Sequence, residues 1–273
     1  MLESVMNNEL TEQAKRMTIG SEKFNIPMPP TFDDPIQQRA YEKQRLAAGF
    51  RAFALQGFDE GLAGHITQRD CIEPDTFWVN PLGVHFNQIK TSDLVRVDHK
   101  GNIVDGNAVI NLAAFAIHSR IHHAKPEVNA VAHAHTTYGR AFSSLGQLLA
   151  PISQDACVFY QNHSLFDTFS GVVTDLDEGD MIAKSLGNGI ATILQNHGLL
   201  TVGKSVDAAV ANFIMMDSCC HSQLLAQTAG DLNLIGHDIA VKTRQANGND
   251  LVTWGNFQPL YQLLLAKDSS FLE

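Results

Sequence analysis

The chain has 273 residues, 44% hydrophobic and 18% charged, the composition of a globular protein long enough to bury a substantial core. A formal charge of −10 and a pI near 5.6, without any basic stripe, argue against nucleic acid as a partner. No apolar run is long enough to span a bilayer, and the first thirty residues lack the basic start and apolar stretch of a secretory leader, so neither a membrane role nor export is expected.

Four cysteines (Cys71, Cys157, Cys219 and Cys220) show no framework spacing, which fits reduced thiols and a cytoplasmic location. Twelve histidines are the one compositional hint of metal or acid–base chemistry. Residues 1–34 are polar and end in a cluster of prolines, and are expected to form an arm. A domain over 35–230 and a C-terminal segment over 231–273 follow.

Apolar positions from Ile36 to Phe58 recur at helical spacing. Short strand-like runs come next at His65–Gln68, Thr76–Asn80 and Leu94–Asp98, and His99 to Asn102 makes a hairpin-type turn into Ile103 and Val104. A helix is predicted over Leu112–His123 and a strand over Val128–His135, in which Val128, Ala130, Ala132 and Ala134 share one face. Small alanines there suit a closely packed helix. Helices are also predicted from Thr136 to Leu145, from Asp177 to Leu186, from Ser205 to about Ala229 and from Leu251 to Lys267. Ala191–Gln195 and Leu199–Val202 read as strands on either side of His197. Strands in the middle with helices at both ends and between give an α/β layered domain.

His133 and His135 lie two apart, so on a strand they project from the same face and can reach one ion. His197, at a turn before a glycine, completes a set of three imidazoles, and three protein ligands with an open position describe a catalytic metal site. Neither Gly61–Gly64 nor Gly187–Gly189 has the spacing of a nucleotide-binding loop, and no Ser or Cys nucleophile motif is present.

The segments Gly61–Thr67 (GLAGHIT), Phe77–Gly83 (FWVNPLG), Ile117 with His118, Pro126–His135 (PEVNAVAHAH) and Ile193–Gly203 (ILQNHGLLTVG) together resemble the class II aldolase/adducin family, across roughly residues 38–228. The resemblance implies a single three-layer α/β/α domain around a mixed, mainly antiparallel sheet. It also implies a homotetramer with fourfold symmetry and active sites between subunits. By position it assigns His133, His135 and His197 to a divalent metal, zinc first, with iron, manganese or cobalt as alternatives. It places Gly64, His65 and Gly83 among cleft and substrate-binding positions. His65 and His118 become the candidate catalytic residues, although His118 also suits an ordinary helix histidine.

The departures from the family are informative. Its sugar-phosphate aldolases carry a proline-serine-serine-glutamate run where this chain has Asn111, Leu112, Ala113 and Ala114. The acid–base carboxylate and two phosphate-binding hydroxyls are therefore replaced, which disfavours a phosphorylated aldehyde as substrate. The leading expectation is a metal-dependent lyase acting on a small oxo- or hydroxy-acid by retro-aldol cleavage or decarboxylation. A second is a non-haem iron oxygenase acting on an aromatic oxo-acid, with Phe77, Trp78, Phe159 and Tyr160 as candidate pocket aromatics, although aromatics in strands usually belong to the core. A third is a non-enzymatic interaction protein like the adducin head.

Overall fold

The computed structural model describes residues 28–173 and 175–273. Helix α1 (Pro35–Leu55) starts where Asp34 accepts a hydrogen bond from the Ile36 amide and Pro35 pre-sets the first turn. Strands β1 (His65–Arg69), β2 (Thr76–Val79), β3 (Val95–Asp98) and β4 (Ile103–Asp105) follow as a meander. The expected turn between β3 and β4 is present, with Gly101 at φ +87° and its amide bonded to the Asp98 carbonyl.

Helix α2 (Leu112–Ala124) begins at Asn111, whose side chain accepts from the Ala113 and Ala114 amides, and runs into β5 (Ala130–Ala134). Helix α3 (Thr137–Ser143), capped by Thr136, leads to β6 (His163–Phe166), and α4 (Leu176–Leu186), capped by Asp175, leads to β7 (Ala191–Leu194) and β8 (Gly198–Gly203). Helices α5 (Val206–Ala229), α6 (His237–Asn247) and α7 (Asp250–Lys267) complete the chain.

Among the described residues eight strands form one sheet in the order β4-β3-β2-β1-β5-β8-β7-β6, every pair antiparallel except β6–β7. On one face Ile66, Ala130, Ala132, Ala134 and Ile193 pack against Phe50 and Phe53 of α1, Val210 and Phe213 of α5 and Phe257 of α7. The three alanines of β5 are fully buried, so α5 lies close, as small residues at that face predict. On the other face Val131, Leu200 and Val202 meet Ile117 and Ile121 of α2 and Ile182 and Leu186 of α4. This is the three-layer α/β/α arrangement around a mixed, mainly antiparallel sheet.

Within the first layer Arg45 of α1 donates to both Asp207 oxygens of α5, and Gln258 of α7 donates to the same carboxylate. All the partners of this buried ion pair are engaged, which is the condition for a pair out of water to be tolerated. Residues Phe32–Glu273 form one compact unit. Among the described residues no helix is long and apolar enough to cross a membrane.

Some expected elements shift. Val128 precedes β5 and packs with Val131 on the opposite face from the alanines, because the chain is still turning there, with the Val128 amide bonded to the Lys125 carbonyl. β6, which opens at His163, and α6 were not anticipated. Phe77, Trp78 and Phe159 are core residues, and Trp254 and Phe257 of α7 are buried by packing. The arm expected over 1–34 lies mostly outside the described residues.

Candidate metal centre and cleft

Strand β5 delivers His133 at its end and His135 one residue beyond it, while the β7–β8 hairpin delivers His197. The hairpin turns within residues 195–197, where Asn196 takes φ +57°, a left-handed conformation that asparagine adopts more readily than most residues. The His197 amide bonds to the Leu194 carbonyl and closes the turn.

The three rings stand 4.8–5.1 Å apart by centroid and nearly perpendicular to one another, at 70–87°, so they surround a common point. One ligand nitrogen from each lies within 4.8 Å of the others, a looser convergence than the approximately 4 Å expected from ion–ligand distances near 2.1 Å. The spread is uneven: Nε2 of His135 and Nε2 of His197 are 3.0 Å apart, so His133 accounts for the wider distances. His133 is anchored through Nδ1, which donates to the Leu199 carbonyl at 2.7 Å and leaves Nε2 for an ion.

Electrostatics suit a cation. Burial holds His133 well below the usual imidazole range, helped by its histidine neighbours. Burial likewise brings His197 down to about 4, and burial together with Arg140 lowers His135. All three are therefore neutral at pH 7 with lone pairs available, which is the donor set a divalent metal requires.

The triad opens into a cleft of about 400 Å³, within the usual size of small-molecule sites. Gly64, His65, Asn111, Ala113, Arg140 and Asn196 contribute polar or small surface, and Phe169, Val172 and Val173 contribute apolar surface. Among the described residues no Asp or Glu lines it. Arg140 pairs with Glu60 at 2.8 Å, both partly exposed.

Gly64 is required by its surroundings. Its φ is +92°, and a Cβ would meet the His133 carbonyl at 3.2 Å and Phe86 at 3.3 Å. Gly83 is not among the residues lining the cleft, and its Cβ position faces open space. Ala114 does not face the cleft either. It is fully buried against Phe77, Val79, Val95 and Val97, and its neighbour Ala113 lines the wall instead.

His65 pairs across the strands with His133 and enters the cleft beside it, with ring centroids 5.0 Å apart. Its Nδ1 lies 2.9 Å from Nε2 of His118, whose Nδ1 lies 2.8 Å from the Thr67 hydroxyl, and that hydroxyl lies 2.9 Å from Nε2 of His122. Burial keeps His65 and His118 well below the ordinary range and His122 down at about 3. The two candidate catalytic histidines are thus linked, with only His65 in the cleft. Thr67 and Arg140 had no signal in the sequence, since a strand threonine and a helix arginine are both commonplace. His163 is fully occupied elsewhere, with Nδ1 donating to the Phe159 carbonyl and Nε2 accepting from the Leu149 amide.

Comparison with known proteins places this geometry in a family. The model of the Class II Aldolase and Adducin N-terminal domain matches residues 44–224. The chain is 47% identical over 242 residues to "Decarboxylase NovR" of Streptomyces niveus, covering 88% of this chain and 90% of that protein. It is also 47% identical to the "4-hydroxy-3-prenylphenylpyruvate oxygenase/4-hydroxy-3-prenylbenzoate synthase" of Streptomyces roseochromogenus subsp. oscitans, covering 88% and 87%. A solved structure titled "L-fuculose 1-phosphate aldolase from Glaciozyma antarctica PI12" superposes with a TM-score of 0.81 at 43% identity, over 87% of this chain and 94% of that one. The chain belongs to the class II aldolase and adducin N-terminal domain family.

Proposed function

We propose that this protein is a metal-dependent carbon–carbon lyase that decarboxylates a small, non-phosphorylated oxo- or hydroxy-acid. The observation that carries the proposal is a cleft walled by three converging neutral imidazoles, one further histidine and one arginine, with no carboxylate among the described residues that line it. Aldol chemistry that removes or delivers a proton through a carboxylate lacks that group here, because position 114 is a buried methyl. Loss of carbon dioxide needs no base to remove a proton from carbon: the electron pair of the broken bond passes to a conjugated carbonyl of the substrate as an enolate, and the carbon then takes a proton from water.

His133, His135 and His197 would hold the ion, which would supply Lewis-acid polarisation of the substrate oxygen beside the breaking bond. The chain's own groups do the remaining work. Arg140 offers a guanidinium at the cleft wall for the substrate carboxylate, in exchange for its exposed pairing with Glu60. Phe169, Val172 and Val173 offer an apolar surface to the organic remainder, which suits a ring. His65 presents the ring nitrogen that His118 leaves free, in position to bind the substrate oxygen. The name of the Glaciozyma structure points to a sugar phosphate; the missing hydroxyls at 112 and 113 and the missing carboxylate at 114 argue against that substrate for this chain.

The second reading is an oxygenase using iron at the same triad. It is favoured by the name of the Streptomyces roseochromogenus relative and by the apolar cleft wall. Homo-oligomerisation, with four copies as the first expectation, belongs to both readings. Leu62, Val109, Leu112 and Val172 are more than half exposed on segments that line or flank the cleft, and a neighbouring copy would cover them.

The test is carbon dioxide release from a panel of aliphatic and aromatic oxo- and hydroxy-acids, run with zinc, manganese, cobalt or iron, in air and without oxygen. Release without oxygen supports the lyase. Release that needs both iron and oxygen replaces it with the oxygenase, and no release under any condition sinks both.

A further inference from the structure

The His65–His118–Thr67–His122 column has a direction, and its buried end sets it. Three imidazoles and one hydroxyl follow one another along it, with the hydroxyl between His118 and His122, and all four residues are at least 97% buried. Each neutral imidazole carries one N–H and one lone pair, and the hydroxyl has a single proton to give. Once one ring's tautomer is fixed, every other proton in the column is fixed with it.

At the far end Nδ1 of His122 is buried and makes no hydrogen bond of regular geometry, the Val128 carbonyl being the acceptor near it. A proton on Nδ1 would be an orphaned interior donor, the rarer and costlier kind of unmet group. The nearby Val128 carbonyl does favour a proton there. That carbonyl, however, already accepts from Nε and Nη2 of Arg69, at 3.2 and 3.1 Å, and does not reach Nδ1 in hydrogen-bond geometry. The Arg69 guanidinium, which also donates to the His122 carbonyl, sets a positive charge beside the ring and favours a lone pair on that side. The proton of His122 therefore sits on Nε2 and is donated to Thr67.

Thr67 then gives its only proton to Nδ1 of His118. That leaves His118 protonated on Nε2, donating to Nδ1 of His65. Nδ1 of His65 is an acceptor, so its proton is on Nε2, the nitrogen left for the cleft. We propose that Thr67, His118 and His122 are positioning residues that lock His65 in the Nε2–H tautomer, so that it meets the substrate as a hydrogen-bond donor and not as a base. A donor at that place would recognise a substrate oxygen that gains negative charge, such as the carbonyl oxygen that becomes an enolate oxygen when carbon dioxide leaves. This deepens the lyase reading and rests on it for the identity of the substrate oxygen. The tautomer itself rests only on the column.

The test is imidazole 15N NMR of the purified protein, without metal and loaded with zinc, with His65 assigned through a His65→Gln variant. The expected spectrum shows His65 with Nδ1 as acceptor and Nε2 protonated. Thr67→Val keeps the shape of the side chain and removes the hydroxyl, so His65 should become a mixture of tautomers, and Thr67→Ser should restore the single form. With a substrate in hand, Thr67→Val should lower kcat more than it raises KM, again with rescue by Thr67→Ser. A His65 ring protonated on Nδ1, or one unmoved by Thr67→Val in a folded variant, overturns the proposal. Absence of turnover with the expected spectrum rejects the lyase reading and leaves the tautomer assignment standing.

Discussion

Ala114→Glu introduces a carboxyl on the buried face of α2, and the structure gives a specific outcome. Ala114 has no exposed surface and packs against Phe77, Val79, Val95 and Val97. A carboxyl among these apolar side chains is desolvated, so its pKa rises by roughly 3–5 units, to somewhere near 7–9. Holding it protonated at pH 7 against an unfolded value near 4.3 costs about 3–4 kcal/mol at 1.36 kcal/mol per unit. Overpacking the site adds roughly 1–3 kcal/mol. The total of about 4–7 kcal/mol corresponds to a Tm lowered by roughly 10–25 °C for a chain of this size.

The pH dependence separates the two contributions. A carboxyl with a raised folded-state pKa keeps the fold intact below about pH 4.3 and weakens it as pH rises towards that raised value. The deficit relative to the unmodified protein should therefore be small at pH 5, near the overpacking cost alone, and largest at pH 8. Paired thermal unfolding curves at the two pH values make the measurement. An unchanged Tm at both, together with newly acquired cleavage of a sugar phosphate, would show that position 114 faces the metal and would refute the reasoning.

Gly64→Ala forces a side chain into φ +92° and against the His133 carbonyl, and should cost about 2–3 kcal/mol with a Tm lowered by several degrees. An unchanged melting curve would show that the loop relaxes freely. Acid should destabilise the metal-free protein early. His122 is held at about 3 against 6.5 when unfolded, so the unfolded chain takes up the proton first, and stability present above pH 6.5 is lost as pH falls towards 3. At pH 5 this one residue accounts for about 2 kcal/mol. The urea midpoint should fall between pH 7.5 and 5, and less steeply in His122→Gln; equal slopes would remove His122 from the account.

The sequence announced the convergence of His133, His135 and His197 well because its signal is short-range. Two histidines two apart on a strand must share a face, and a His-Gly turn is recognisable by itself. The caps at Asn111, Thr136 and Ser205 follow from local chemistry for the same reason. What stayed hidden depends on pairing across distance. His65 and His133 become neighbours only through the β1–β5 register, and His118 reaches Thr67 only once α2 lies over β1. Edge strand β6, four residues with one fully buried, carries too little periodicity to read, and α6 is mostly polar with one buried residue, Ala240. The burial of Ala114 in the cluster around Phe77 likewise depends on contacts that α2 makes with distant strands.

The most direct measurement is elemental analysis of the protein purified without a histidine tag, beside a His133→Ala variant shown by circular dichroism to be folded. The expected result is about one zinc, manganese, cobalt or iron per chain in the unmodified protein and none in the variant. A folded protein that takes up no metal even after reloading, or a variant that binds as much as the original, would contradict the assignment of His133, His135 and His197 as the metal ligands.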